Sequence, residues 1–434
     1  MIRQGGIYYF LIFFSLQLFA QPPADTLTLQ ACYDSLYSQY PLAKQKYFQD
    51  RIRELKIKNV QAGYLPSINL GAQSSVQSDV PHLEINTESP AMQSFIENLK
   101  IPTPPLFQNR IYVDISEPVY DGGLISAQKK LENTYAEIQQ KSIEVELYTV
   151  REKINSLFYG ILYLKTNEET LHLLMSDLQS RRKQVQAGVS SGMLLESNLH
   201  LIEAEILKLE QQLIDLHTQR KNLTESLSEI IRRPVTEQTV LVLPEYQLSM
   251  DEGCTRPEIE LLQLQKVSLE QSALLHKAVR RPKIVLFGQG GYGRPGLNML
   301  SDKFEPYGII GLRLACTLFD WGQTNRNLRL LDYQKNIIDT KIETYLLNQR
   351  IALRNELNVI EKMEKILQHD DRIVELRSKV SRISASKYEN GVLSLREYLT
   401  EKYNEAQAIV NRNLHKIQLQ NARLNYLTIC GKIK

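Results

Sequence analysis

Residues 143–192, IEVELYTVREKINSLFYGILYLKTNEETLHLLMSDLQSRRKQVQAGVSSG, decide the fold. Ile143, Val150, Leu157, Leu164, Leu171, Leu178 and Val185 recur every seven residues, with Leu147, Ile154, Ile161 and Met175 on a companion row. A heptad sustained this long predicts helices packed side by side with knobs-into-holes contacts. Glu168 and Arg182 interrupt the companion row, so part of the seam is expected to be wet or to specify register.

Outward from this stretch, no proline occurs between Pro118 and Pro234 or after Pro306. Within 124–233 the only glycines are Gly160, Gly188 and Gly192, and within 323–430 the only one is Gly391. In a helix interior Pro and Gly cost about 3 and 1 kcal/mol relative to Ala, so their joint absence argues for very long helices. Leu124 to Ala187 is 64 residues, roughly 95 Å of helix at 1.5 Å per residue. Gly188–Gly192 then reverses the chain, and Ile202, Leu209, Leu216, Leu223 and Ile230 resume the seven-residue pattern. Leu346, Leu353, Ile360, Leu367 and Val374, followed by Val410, Ile417 and Leu424, repeat it in the second half. Long helical hairpins are therefore expected over 124–233 and 323–430.

Self-comparison turns this into two tandem structural repeats. Pro41 and Pro66 are 25 apart, as are Pro257 and Pro282, an offset of 216. Val119-Tyr120-Asp121-Gly122-Gly123 matches Leu318-Phe319-Asp320-Trp321-Gly322 at an offset of 199, as does Gly192 with Gly391. The difference of 17 residues falls in Val80–Phe107, a proline-rich stretch read as a long irregular loop. The expected organisation is a leader over 1–20, repeat 1 over 21–234, a linker over 235–256 and repeat 2 over 257–434. Strands are expected at about 66–77, 109–119, 282–293 and 308–319. In these, apolar residues such as Ile111, Val113 and Ile115 alternate with polar ones. Pro66, Asp121, Gly122, Gly123, Pro282, Asp320, Trp321 and Gly322 mark the strand-to-helix junctions.

The leader is read as a secretory signal peptide, with Arg3, the apolar run Ile7–Phe19 and a cleavage site after Ala20. A formal charge of +3 with 23% charged residues gives no reason to expect nucleic acid. The scattered Cys32, Cys254, Cys316 and Cys430 are read as small buried apolar side chains rather than a disulfide. His369 beside Asp370 and Asp371 is read as a solvated helix face rather than a metal site. Gly288, Gly290, Gly291 and Gly293 lack the Lys-Ser/Thr of a phosphate loop. No enzyme, cofactor or metal is expected.

Each candidate strand is close to the roughly 9–11 residues a tilted strand needs to cross a bilayer. Tyr120, Phe319 and Trp321, the single tryptophan, sit at strand ends where an aromatic girdle would lie. Backbone polar groups in lipid must all be paired, so such a sheet must close, and barrels start at about eight strands. With four transmembrane strands the chain must oligomerise if they span. The expected fold is thus mixed but mainly α: antiparallel coiled-coil hairpins on one side of a membrane, in an oligomeric α-barrel/β-barrel channel. A periplasmic coiled-coil structural or adaptor protein without membrane strands is the alternative.

The chain resembles the TolC-like outer-membrane efflux family over nearly all its length after the leader. The resemblance rests on Thr26-Leu27-Thr28-Leu29-Gln30-Ala31, Pro41, Tyr64-Leu65-Pro66-Ser67-Ile68 and Glu117-Pro118-Val119-Tyr120-Asp121-Gly122-Gly123. Tyr388-Glu389-Asn390-Gly391-Val392-Leu393-Ser394, Leu424-Asn425-Tyr426-Leu427 and Gly431 complete it. It implies a homotrimer in the outer membrane of a Gram-negative bacterium, with a twelve-stranded β-barrel and a periplasmic helical barrel. It also implies a passive exit duct for efflux or type I secretion, joined through a periplasmic adaptor to an inner-membrane pump. Gly188, Gly192, Gly391 and Ser394 would form the periplasmic tip where the adaptor docks. Glu397 would line the constriction, three carboxylates favouring cations and raising one another's pKa. The first copy departs, with Leu195 and Asn198 at the places of Ser394 and Glu397 and Glu196 displaced by two. Val235–Gly253 would belong to a mid-barrel collar. The cargo is not legible.

Overall fold

The computed structural model of the chain describes residues 26–81, 95, 103–247, 253–299 and 301–432. The leader over 1–20 and most of the loop between Val80 and Phe107 lie outside them.

Strand β1 (Thr26–Leu27) leads into helix α1 (Leu29–Gln39), where the Thr28 hydroxyl accepts a hydrogen bond from the Ala31 amide. A short 3-10 turn at Pro41–Lys44 leads to α2 (Gln45–Ala62), then β2 (Ser67–Val76) and β3 (Phe107–Tyr120). The first hairpin is α3 (Leu124–Ser190) and α4 (Glu196–Ile231). After β4 (Val240–Leu241) follow α5 (Pro257–Val279), β5 (Lys283–Arg294) and β6 (Glu305–Ala315). The second hairpin is α6 (Gln323–Glu389) and α7 (Leu395–Cys430). α3 and α6 are 67 residues each, and α4 and α7 are 36 each. Each long helix is roughly 100 Å. No helix among the described residues is long and apolar enough to cross a membrane.

One long helix is matched by two shorter ones along its length. α2 and α4 pack on α3, and α5 and α7 pack on α6. α5 and α7 also touch α3, joining the two repeats. On the α3–α4 seam Glu168 is buried, its Oε2 accepting from Arg220 Nε at 2.7 Å. Glu168 thus specifies pairing, whereas Arg182 lies half-exposed, 3.9 Å from Glu203.

The core divides in three. At mid-height Leu29, Cys32, Tyr33 and Leu36 of α1 pack against Leu147, Ile154 and Phe158 of α3 and Leu227 and Ile231 of α4. β1 pairs in parallel with β4 beside them, Leu27 opposite Leu241. Toward the hairpin ends Leu174, Leu178, Val185, Ile202 and Leu209 meet Leu395, Tyr398 and Leu399 of α7. A third cluster, around Ile360 and Met363, holds α6 to α7.

β2, β3, β5 and β6 form one antiparallel sheet in that order, leaving β2 and β6 as free edges. Directly opposed residues share a face. Ile68 pairs with Ile115, Leu70 with Val113, Ile284 with Leu314 and Leu286 with Leu312, making one face almost wholly apolar. Ile68, Leu70, Ile310, Leu312 and Leu314 are exposed on it. The opposite face carries Asn69, Gln73, Arg110, Asp114, Gln289 and Arg313. Gln289 Nε2 donates to Asp114 Oδ1 at 2.6 Å and Arg110 Nε to Gln73 Oε1 at 2.9 Å. On this polar face Tyr112, Phe287 and Tyr307 lie across Gly71, Gly311 and Gly291, where an added Cβ would meet ring atoms within 3 Å.

β6 stops at Ala315, short of the expected residue 319, whereas β3 reaches Tyr120. The physical reason is pairing: Glu117, Pro118 and Tyr120 are held by β5, while residues 316–319 have no strand beside them among the described residues.

Two side-chain readings are corrected. Cys254 and Cys430 are joined in a disulfide, with Cα atoms 4.3 Å apart, because folding brings the linker against the end of α7. Of the two remaining cysteines Cys32 is buried and Cys316 is exposed. Asp370 is buried rather than solvated, its Oδ2 lying 2.6 Å from His415 Nδ1 across the α6–α7 seam.

Candidate functional site

Three places carry the residues singled out above: the hairpin tips, the strand-to-helix junctions and the mid-height collar. At the second tip α6 ends at Glu389, Gly391 takes φ of 71°, and Ser394 caps α7. Ser394 Oγ accepts from the Glu397 amide at 3.3 Å, while the Glu397 carboxylate accepts from the Ser394 amide at 3.0 Å and its hydroxyl at 2.6 Å. This is a closed capping box. Hydrogen bonds from the Ser394 side chain, then from its backbone, hold the exposed Glu397 carboxyl below its ordinary value. At the first tip Gly192 takes φ of 75°, but Leu195 at the N-cap offers no side-chain bond. Gly192 and Gly391 have nothing within 4 Å of an added Cβ. They are glycine for their backbone conformation, and the space around them is open. Gly188 differs: it lies within the last turn of α3, and an added Cβ would meet Leu194 at 2.7 Å. Its role is close packing rather than a positive φ.

A cluster that sequence reasoning missed ties the tips together. Tyr398 of α7 is fully buried; its hydroxyl donates to Asp177 Oδ2 at 2.9 Å and accepts from Arg181 Nε at 3.2 Å, both on α3. Its ring stacks on Tyr388 at 5.4 Å, and Arg181 also reaches Glu389 at 2.9 Å. Burial, then the charge of Asp177, pushes Tyr398 up to about 12, so it stays a neutral donor. The partners are 217 and 221 residues apart in sequence, so only pairing of the two hairpins could reveal them.

At the junctions an aspartate three residues before each long helix accepts from amides at its start. Asp121 receives Gly123 at 2.9 Å and Ile125 at 2.6 Å; Asp320 receives Gly322 at 3.1 Å and Thr324 at 2.9 Å. A carboxylate there satisfies unpaired N–H groups and faces the positive end of the helix dipole. Bonds from Thr324, side chain before backbone, bring Asp320 down to about 2. Gly122, at φ of 72°, packs so closely that an added Cβ would lie 2.8 Å from Arg281 Cβ. Its counterpart Trp321 is exposed at a φ of 51° and edges Phe319 at 4.8 Å. Pro66 and Pro282 lie just before β2 and β5.

The collar is organised by Arg256, another residue without a sequence signal. It binds Glu258 Oε1 at 2.6 Å, the Thr428 carbonyl at 2.8 Å and the Tyr345 hydroxyl at 3.0 Å, over the ring of Tyr148. One guanidinium thereby joins the linker, α3, α5, α6 and α7, two residues from the Cys254–Cys430 bond.

This arrangement is the TolC-like outer-membrane channel fold. The Campylobacter jejuni CmeC outer membrane channel matches with a TM-score of 0.68 at 14% identity, over 93% of this chain and 85% of that one. VceC from Vibrio cholerae matches at 0.66 and 12% identity, over 93% and 96%. The open state of the Neisseria gonorrhoeae MtrE outer membrane channel matches at 0.66 and 14% identity, over 94% and 89%. No family model matches the sequence, and no curated protein does.

Proposed function

We propose that the chain is one subunit of an outer-membrane channel: a passive exit duct whose four strands close with those of other copies, three in all, around a common pore. The observation that carries the reading is the sheet with one apolar face, one polar face and two free edges, joined to helices of roughly 100 Å. Lipid suits the apolar face, and only closure with other copies satisfies the edges. As a soluble periplasmic protein the chain would leave Ile68, Leu70, Ile310, Leu312 and Leu314 in water. Helices on one side of the sheet suit a barrel projecting into the periplasm, with its tips offered to an adaptor and, through it, an inner-membrane pump.

The test is fractionation followed by bilayer recording. A heat-sensitive oligomer from outer membranes that conducts in planar bilayers is expected; a monomer soluble without detergent after export would overturn the reading. Glu397 is proposed to line the closed tip. Glu397→Ala is then expected to reduce cation selectivity, and unchanged conductance and selectivity would leave Glu397 only its capping role.

A further inference from the structure

Three rings on the polar face of the sheet each lie across a glycine of the next strand. Tyr112 of β3 covers Gly71 of β2, Phe287 of β5 covers Gly311 of β6, and Tyr307 of β6 covers Gly291 of β5. A Cβ added at Gly71 would meet the Tyr112 ring at 2.6 Å, at Gly311 the Phe287 ring at 2.8 Å, and at Gly291 the Tyr307 ring at 2.9 Å. Side chains on a strand ordinarily stand roughly perpendicular to the sheet. The missing Cβ is the gap that lets each ring lie down.

The apolar face of the same sheet provides the contrast. Gly288, Gly290 and Gly308 lie there, and among the described residues only backbone oxygens at 3.8–4.0 Å stand near an added Cβ. Covering a glycine with a ring therefore belongs to one face. The repeats sharpen this. Gly71 opposes Tyr112 in the first, and Phe287 opposes Gly311 in the second. Offsets of 216 and 199 make Phe287 the counterpart of Gly71 and Gly311 that of Tyr112. Ring and glycine have changed strands while the pair has kept its place. A guanidinium also sits over each ring, Arg110 at 5.5 Å from the Tyr112 centroid and Arg313 at 5.0 Å from that of Phe287. Such stacking uses the face of the ring rather than its edge.

We propose that Gly71, Gly291 and Gly311 set the bore of the duct by holding Tyr112, Tyr307 and Phe287 against its wall. This rests on the channel reading above, in which the polar face lines the lumen. Equivalent positions of the two repeats come to one height in a closed barrel, so Tyr112 and Phe287 alternate around it. A side chain at Gly71 or Gly311 removes the gap. The ring then returns to the perpendicular, across the path of the solute.

The test measures the lumen from its outer mouth, independently of the tips. Ser67, exposed on the polar face at the helix end of β2, lies beyond the rings from that mouth. In a Cys316→Ser background, Ser67→Cys would be treated on intact cells with polyethylene-glycol maleimides of increasing mass. The heaviest reagent that adds, read as a gel shift, reports the bore. Gly71→Ala with Gly311→Ala is expected to lower that mass limit in a heat-sensitive oligomer; an unchanged limit would overturn the proposal. Adding Tyr112→Ala and Phe287→Ala should restore it. A limit that stays low would mean that the strands themselves are distorted, and would overturn the proposal as well. Where the glycine variants do not assemble, exchanging the pair, Gly71→Tyr with Tyr112→Gly, decides. The exchange copies the second repeat and is expected to assemble with the limit unchanged; a lowered limit or a lost oligomer would overturn the proposal. A soluble monomer from the unsubstituted chain would sink the channel reading itself.

Discussion

Ser394 and Glu397 close a capping box at the start of α7, beside the open turn at Gly391. Ser394→Ala removes the side-chain acceptor and should destabilise the first turn of α7 by about 1 kcal/mol, seen as roughly five-fold faster amide exchange there. The Glu397 carboxyl is held down in the folded chain. A group with a lowered folded pKa stabilises fully above its unfolded value and stops doing so as pH falls through its folded one. The protection of that turn should therefore persist at neutral pH and fade below the ordinary carboxylate range; protection rising on acidification would contradict the box. Gly391 has open space around it and a positive φ, so a bulky residue there pays only a local backbone penalty. If the tip is the adaptor's seat, Gly391→Leu should abolish pump-coupled export while the oligomer survives; loss of the oligomer would contradict that role. The glycines and the aspartate-capped junctions were visible in the sequence because each is a local demand on φ or on unpaired amides. Tyr398 and Arg256 were not, since their partners come from helices far away in the chain.

The long helices were legible because a heptad and the absence of Pro and Gly are statistical properties of whole segments, insensitive to any one residue. Strand ends are less legible, since a strand ends where its partner does, and β6 lacks one after Ala315. Glu168, read from the sequence as a wet or register-specifying interruption of the seam, forms a buried ion pair with Arg220, both side chains about a tenth exposed. Its Oε1 has no hydrogen-bond partner among the described residues. Breaking such a pair leaves an uncompensated charge, so Glu168→Ala should destabilise the hairpin by about 3 kcal/mol. Glu168→Leu with Arg220→Met should recover most of that loss. Thermal unfolding of the two variants compares them, and equal destabilisation would mean that shape rather than charge dominates the seam.

At the scale of the molecule the two repeats are joined by helices packing on α3, by the β3–β5 edge and by the Arg256 collar. The disulfide adds a constraint across a sequence separation of 176, which in the chain-entropy account removes about 5 kcal/mol of unfolded-state freedom. Cys254→Ser with Cys430→Ser should lower the unfolding temperature of the oligomer while leaving conductance intact. An unchanged temperature would mean that the collar holds without the bond.

The bond also changes the topology of the polypeptide. Residues 254–430 form a closed covalent lasso containing the whole second hairpin, whereas β1 and β4 close the first repeat by hydrogen bonds alone. A protease cut at Gly391 would open that lasso without releasing a fragment, so the denatured, unreduced chain would keep its full mass. The same cut at Gly192 would yield two separate bands. One gel, run with and without reductant, thus distinguishes which tip a protease reached.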